Sequence, residues 1–252
     1  MDVLSVHNPP DVIAARTAAI HDALLRESPH VKEANFTRIA DEDLDVLFGL
    51  YDQHFFDDWL GRTAKETGTL YLRLSTRMTR AGGTTTMRER RGPGGPGRDY
   101  EIAVACRMLF MSFQDVQRPV LVCGLTCTDR LQALQRIFEH EIIHLTELLA
   151  WGRSSCKAAR FRRLVRNIFG HTDTRHGLVT PTEHAAVRHG VQVGGMVEFE
   201  YEGRRLTGRV NRIRRRATVL VADPAGRPYS DGGRYLGYYV PVDLLRPVEA
   251  GQ

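Results

Sequence analysis

His140, Glu141 and His144 form a His-Glu-x-x-His pattern inside the apolar run Phe138-Glu139-His140-Glu141-Ile142-Ile143-His144-Leu145. On a helix, residues four apart stack on one face with Cβ atoms roughly 5–6 Å apart. Two imidazoles at that spacing can reach one tetrahedral metal ion, at Zn–N distances of about 2.0–2.1 Å. Glu141 then flanks the ion, where a carboxylate can take a proton from a coordinated water. Ten histidines in 252 residues can place two four apart by chance. What gives the pattern weight is its setting, since two ionisable rings and an acid in an apolar helix are costly without a partner.

The element that must carry this group is a long helix. Leu131, Leu134, Ile137, Phe138, Ile142, Leu145 and Leu148 recur at steps of three and four, and Asp129 stands at the expected N-cap. Upstream, Pro10 to Arg26 reads as an amphipathic helix closed by Ser28-Pro29. A second helix is predicted from Asp41 to about Arg62, with Leu44, Leu47, Phe48, Tyr51, Phe55 and Trp59 on its core face. Alternation in Leu70, Leu72 and Leu74 predicts a strand, Ala81-Gly82-Gly83 a turn, and Thr84 to Met87 a returning strand. The basic, Gly/Pro-rich stretch 88–98 predicts a mobile hairpin tip, and Tyr100 to Phe113 one or two further strands. A small antiparallel sheet before the motif helix is the expected layout, with an edge strand able to hold an extended peptide.

Leu50-Tyr51-Asp52-Gln53-His54-Phe55-Phe56, then Leu74-Ser75-Thr76-Arg77-Met78-Thr79-Arg80-Ala81-Gly82-Gly83, then the His-Glu-x-x-His helix, resemble in that order the SprT-like domain family. The resemblance spans roughly residues 44 to 170. Members include Spartan-type proteases that degrade proteins crosslinked to DNA. The resemblance implies a zincin-like α+β domain and a zinc-dependent peptidase acting on protein or peptide substrates. Its expected mechanism is attack of zinc-activated water on a peptide carbonyl, with His140 and His144 as ligands and Glu141 as general base, then proton donor.

A catalytic zinc needs a third protein ligand. The family usually supplies a His at the start of the next helix, in a His-Gly-x-x-Phe context, and the corresponding stretch 151–161 holds no His. Cys156 is the nearest metal-competent side chain, just ahead of the periodic run Phe161, Leu164, Val165, Ile168, Phe169, where a helix N-terminus favours thiolate. His171 and His176 are the alternatives, should that helix run back toward the metal. Glu147, seven residues past His140, can orient a ligand ring or simply face solvent. Cys123 and Cys127 lack a second pair downstream and read, with Cys106, as core cysteines; no cysteine follows Cys156, so the family's frequent C-terminal zinc ribbon is missing.

Beyond Thr180-Pro181-Thr182-Glu183, which opens a short helix to about Arg188, the chain turns to strands. Met196–Tyr201, a Glu202-Gly203 turn, Leu206–Arg212, Ala217–Val221, an Asp223–Gly226 turn and Tyr238–Val240 predict a small SH3-like or KOW-like β-barrel. Arg204, Arg205, Arg209, Arg212, Arg214, Arg215 and Arg216 crowd this region beside Tyr229, Tyr235, Tyr238 and Tyr239. Arginines among aromatic rings suit phosphates and stacked bases, so DNA or RNA is an expected partner, at Arg212, Arg214, Arg215 and Arg216. The expected division is 1–40 as an N-terminal helical extension, 41–188 as the metallopeptidase domain and 189–252 as the barrel. The other reading is a nucleic-acid-binding adaptor with a structural or vestigial metal site. A hydrophobic fraction of 42% supports an ordinary core, and net charge is a mild +5. With no membrane-length apolar run, no signal-peptide pattern and four scattered cysteines, a cytoplasmic protein is expected.

Overall fold

The computed structural model describes residues 3–90, 97–114 and 116–248. It is a mixed α+β chain that divides into two units, 1–113 with 118–178, and 114–117 with 179–252.

In the first unit, α1 (Pro10–Glu27) begins on a proline whose fixed φ suits a first turn. It ends at Ser28, which the following proline holds extended. Ile20, Ala23 and Leu24 enter the same core as the motif helix, and Gln135 Nε2 donates to Thr17 O at 3.0 Å. Residues of α1 thus share the core of the first unit. The predicted helix 41–62 is two helices, α2 (Asp41–Phe56) and α3 (Trp59–Thr67). Asp57 and Asp58 between them both have left-handed φ, 50° and 59°. The Asp52 carboxylate accepts from Leu60 N (2.9 Å) and Gly61 N (2.7 Å), satisfying the orphan donors of α3.

The sheet holds β1 (Gly68–Leu74), β2 (Gly83–Arg90) and β3 (Gly97–Val104) in the order β1-β3-β2. β1 does not pair with β2 as a hairpin. It runs parallel to β3, Gly68 opposite Arg98, while β2 is antiparallel to β3, Gly83 opposite Val104. The connection 75–82 crosses the end of β3, through Ser75 N to Val104 O (2.7 Å) and Ala105 N to Gly82 O (2.8 Å). The crossing puts β2 on the outer edge. Of the expected hairpin tip, residues 91–96 lie outside the described residues. The segment predicted as strand after Tyr100 becomes helix α4 (Cys106–Met111), so Cys106 sits on a helix.

A two-stranded hairpin follows, β4 (Val120–Val122) and β5 (Leu125–Cys127), turning at Cys123 and Gly124 with φ of 54° and 80°. The motif helix is α5 (Arg130–Trp151). Asp129 Oδ1 accepts from Gln132 N at 2.8 Å, a cap contributing about 1 kcal/mol, and Gly152 ends the helix at φ 66°. α5 is buried on nearly every side, and Leu131, Leu134, Ile137, Phe138, Ile142 and Leu145 sit among α2, α3 and the sheet. Each such side chain contributes about 1.5–3 kcal/mol on burial, which lets the core hold the polar groups set among them. α6 (Ala159–Phe169) then packs on α5 through Phe161, Leu164, Val165, Ile168 and Phe169.

The second unit opens with α7 (Pro181–His189), capped by Thr180, whose hydroxyl accepts from Glu183 N. Ala185 on this helix belongs to the core of the second unit. The sheet is β6 (Met196–Tyr201), β7 (Arg204–Ile213), β8 (Ala217–Pro228), β9 (Arg234–Val240) and β10 (Arg246–Pro247), ordered β10-β6-β7-β8-β9 and antiparallel throughout. The turn expected at 223–226 is a bulge inside β8, where Ala222 and Arg227 both face Tyr235. The reversal comes later, with Tyr229 N bonded to Gly233 O. No helix among the described residues is long and apolar enough to cross a membrane.

Candidate metal centre

His140 and His144 project from α5 one turn apart, and their Nε2 atoms approach to 3.2 Å. The bond made by its other ring nitrogen fixes what His144 Nε2 carries. Ser154 Oγ lies 2.6 Å from Glu147 Oε2, an acceptor when ionised, so the hydroxyl hydrogen points there. The same oxygen, 2.7 Å from His144 Nδ1, must then accept, which places the imidazole hydrogen on Nδ1 and leaves Nε2 bare. Behind His140, the Cys123 thiol faces Arg136 O (3.7 Å) and its sulfur faces His140 Nδ1 (3.8 Å), the same arrangement in a weaker form. His144 Nε2 thus presents a lone pair to His140 Nε2, which donates to it as one tautomer and, as the other, can meet it on a single cation; a tetrahedral ion with bonds of about 2.0–2.1 Å wants its nitrogens about 3.3–3.4 Å apart.

Burial, together with the other rings nearby, pushes His140 down to about 3; burial pushes His144 down to about 4. Both rings are neutral at physiological pH, the state that binds metal. Phe161, in the first turn of α6, covers both, with ring centroids 4.9 Å from His140 and 4.3 Å from His144.

Cys156 Sγ joins the two imidazoles in a cluster whose ligand atoms all lie within 4.8 Å of one another. α6 starts beside the rings and runs away from them, which carries His171 off this cluster. His171 follows the far end of α6 and is 2% exposed; its Nε2 is 2.7 Å from Glu139 Oε2. Glu139 is itself held by Arg136 (2.9 Å) and by the Tyr51 hydroxyl (2.8 Å), a buried knot joining α2, α5 and the segment after α6. His176 lines the same pocket as the two motif rings, but its Nε2 donates to Arg80 O at 3.0 Å. Glu147 does not face solvent. It is fully buried, paired with Arg160 at 2.6 Å, and reaches His144 through Ser154.

Glu141 lies on the wall shared by α5 and β2. Thr85 Oγ1 contacts its Oε2 at 2.7 Å and its backbone O at 3.0 Å. Burial pushes the carboxyl up to about 7, with the Thr85 hydroxyl pulling the other way. Gly83 is needed for this approach, because a Cβ there would stand 2.7 Å from Glu141 Cγ. His140, Glu141, His144, Cys156, Gly82, Gly83, Thr85 and His176 surround a cavity of about 380 Å3, open to solvent. Cys123 and Cys127 are buried and unpaired in the β4–β5 hairpin, and burial raises both thiols.

Ser154, Thr85, Cys123 and Phe161 are functional neighbours that sequence spacing did not single out as such. Only Phe161 left a signal, as the first apolar residue of the helix after the motif. In the second unit, Arg212, Arg214 and Arg216 are exposed around the β7–β8 reversal, with Arg215 beside them. Arg212 and Tyr239 flank Thr218 across three adjacent strands, and Tyr239 is 67% exposed. No protein-family model, no curated protein and no solved structure matches this chain.

Proposed function

We propose that the first unit is a zincin-like, SprT-like metallopeptidase domain that hydrolyses peptide bonds in protein substrates with one zinc ion. The observation carrying this reading is the pair of Nε2 atoms 3.2 Å apart, with Cys156 in the same cluster and a buried carboxyl, Glu141, on the wall of the same cavity. His140, His144 and Cys156 would hold the ion. Bound there, zinc would supply a Lewis acid for a peptide carbonyl and make water a better nucleophile near neutral pH.

The rest falls to the protein. Glu141, with an affinity for protons near neutrality, accepts a proton and can hand it on to a leaving amine. Thr85 keeps the Glu141 carboxylate against β2, and Phe161 keeps bulk water off the backs of the rings. Among the described residues the outer edge of β2 is unpaired, so an extended substrate backbone can add there as a further strand.

The test is cleavage of unfolded casein by the zinc-loaded chain, together with Glu141→Gln. Cleavage should disappear in the variant while one zinc per chain remains. In the cobalt-substituted protein a thiolate-to-metal absorption band should be present and should vanish in Cys156→Ser. Full zinc binding with no cleavage of any substrate would leave the second reading, a nucleic-acid adaptor with a structural or vestigial metal site. That reading draws on the second unit, taken as a small SH3-like or KOW-like barrel presenting Arg212, Arg214, Arg215 and Arg216 to DNA or RNA. The exposed Tyr239 in register with Arg212 favours it. Both activities fit a cytoplasmic protein.

A further inference from the structure

A second cavity, of about 550 Å3, shares Cys156, Thr174 and Arg175 with the wall of the metal pocket. Its remaining polar lining is unbalanced. Lys157, Arg162, Arg166 and Arg175 all border it. Arg162 and Arg166 stand one turn apart on the exposed side of α6, each next in sequence to the buried Phe161 and Val165. Among the described residues Asp173 is the one carboxylate of the lining, and its Oδ1 is already taken by Thr174 N at 2.6 Å. His171, also in the lining, is turned to Glu139. One guanidinium nitrogen of Arg162 is spent on Lys157 O, at 2.6 Å. Four cations around a concave site, set against one acid, repel one another and focus a positive potential into the cavity.

We propose that this cavity receives a carboxylate of the polypeptide substrate while the neighbouring backbone lies across the metal pocket. The inference rests on the peptidase reading and names its substrate class, an acidic segment beside the bond to be cut. A carboxylate suits the site because guanidiniums bind it through paired N–H donors. The shared wall at Cys156, Thr174 and Arg175 places that anion next to any chain at the metal. The carboxylate can come from an Asp or Glu side chain or from a chain terminus.

The experiment uses the full chain carrying Glu141→Gln, loaded with zinc, so that binding is read without cleavage. Fluorescent peptides of one sequence are compared by anisotropy: with Glu, with Gln in its place, and each with a free or amidated C-terminus. The Glu peptide should bind about tenfold more tightly than the Gln peptide, an advantage that shrinks as salt screens the pair. A terminal-carboxylate site would show the preference between free and amidated ends instead. The combined Arg166→Ala and Arg175→Ala change should remove the preference, and Arg166→Glu should turn it toward a Lys peptide, with zinc content and circular dichroism unchanged. Equal affinities for all peptides, or a preference that survives these changes, overturns the proposal. So does tight binding of a single-stranded oligonucleotide with no preference among peptides. Casein cleavage by the wild-type chain without any acidic preference removes this inference and keeps the peptidase; acidic preference without cleavage removes the peptidase and reduces this inference to a carboxylate-binding cavity.

Discussion

Ser154→Ala isolates how the protein orients a ligand from behind. Ser154 Oγ stands 2.7 Å from His144 Nδ1 and 2.6 Å from Glu147 Oε2, so one hydroxyl holds the ring tautomer and satisfies a buried charge. Without it, Glu147 Oε2 keeps only the long contact from Ser155 N at 3.4 Å, while Oε1 stays with Arg160. Losing a hydrogen bond to a buried charge costs about 1.5–3 kcal/mol. The metal-free variant should accordingly melt about 3–10 °C lower. His144 also becomes free to place its proton on Nε2, the atom needed for the ion. Removing such a supporting partner weakens metal affinity about 10–100-fold, which is about 1.4–2.7 kcal/mol. Zinc competition against a chromophoric chelator measures the affinity, and calorimetry of the metal-free protein measures stability. Wild-type zinc affinity in a variant that folds normally would refute the argument that Ser154 sets the tautomer. Lower stability with unchanged affinity would leave Ser154 as a structural bond only.

Gly83→Ala should spare zinc content and impair cleavage, because the added methyl stands 2.7 Å from Glu141 Cγ and displaces the carboxylate. A shift of about 1 Å in a catalytic group can cost on the order of 100-fold, so kcat should fall far more than KM rises. For Asp43, burial raises the carboxyl, but hydrogen bonds from Ser28 Oγ, Ala40 N, His30 N and the His30 ring outweigh it and hold the group below its ordinary 3.8. Its contribution is therefore present above 3.8 and is lost as pH falls through the lower folded value. Asp43→Asn should cost about 2–3 kcal/mol near neutrality and progressively less below pH 3.8, read by urea melts across pH. In the second unit, Arg212→Ala, Arg214→Ala and Arg215→Ala together should lower the salt slope of oligonucleotide binding by about 2–3, and no binding even at low salt would dispose of that surface.

Local pattern was enough where the physics is local. The spacing of His140 and His144, the Asp129 cap and the Thr180–Pro181 start each depend on a few consecutive residues, and each lies where spacing put it. Strand partners depend on distant residues. Alternation located β1 and β2, yet it could not reveal that β3 would enter between them and make β1 a parallel partner. The helix break at Asp57-Asp58 was hidden for a similar reason, since it needs the Asp52 carboxylate to turn back onto Leu60 and Gly61.

The candidate site divides in the same way. By itself the sequence determined a two-ring, one-acid face on a helix, because a turn of α-helix has one geometry whatever surrounds it. It left Cys156, His171 and His176 open, since choosing among them requires the direction of α6 relative to α5. Tertiary packing decided that α6 starts at the rings, set His171 on Glu139, and brought Ser154, Cys123 and Thr85 against the motif from three separate segments. Those contacts control tautomer and proton affinity, and they arise only when burial removes the water that would otherwise compete for each of these bonds.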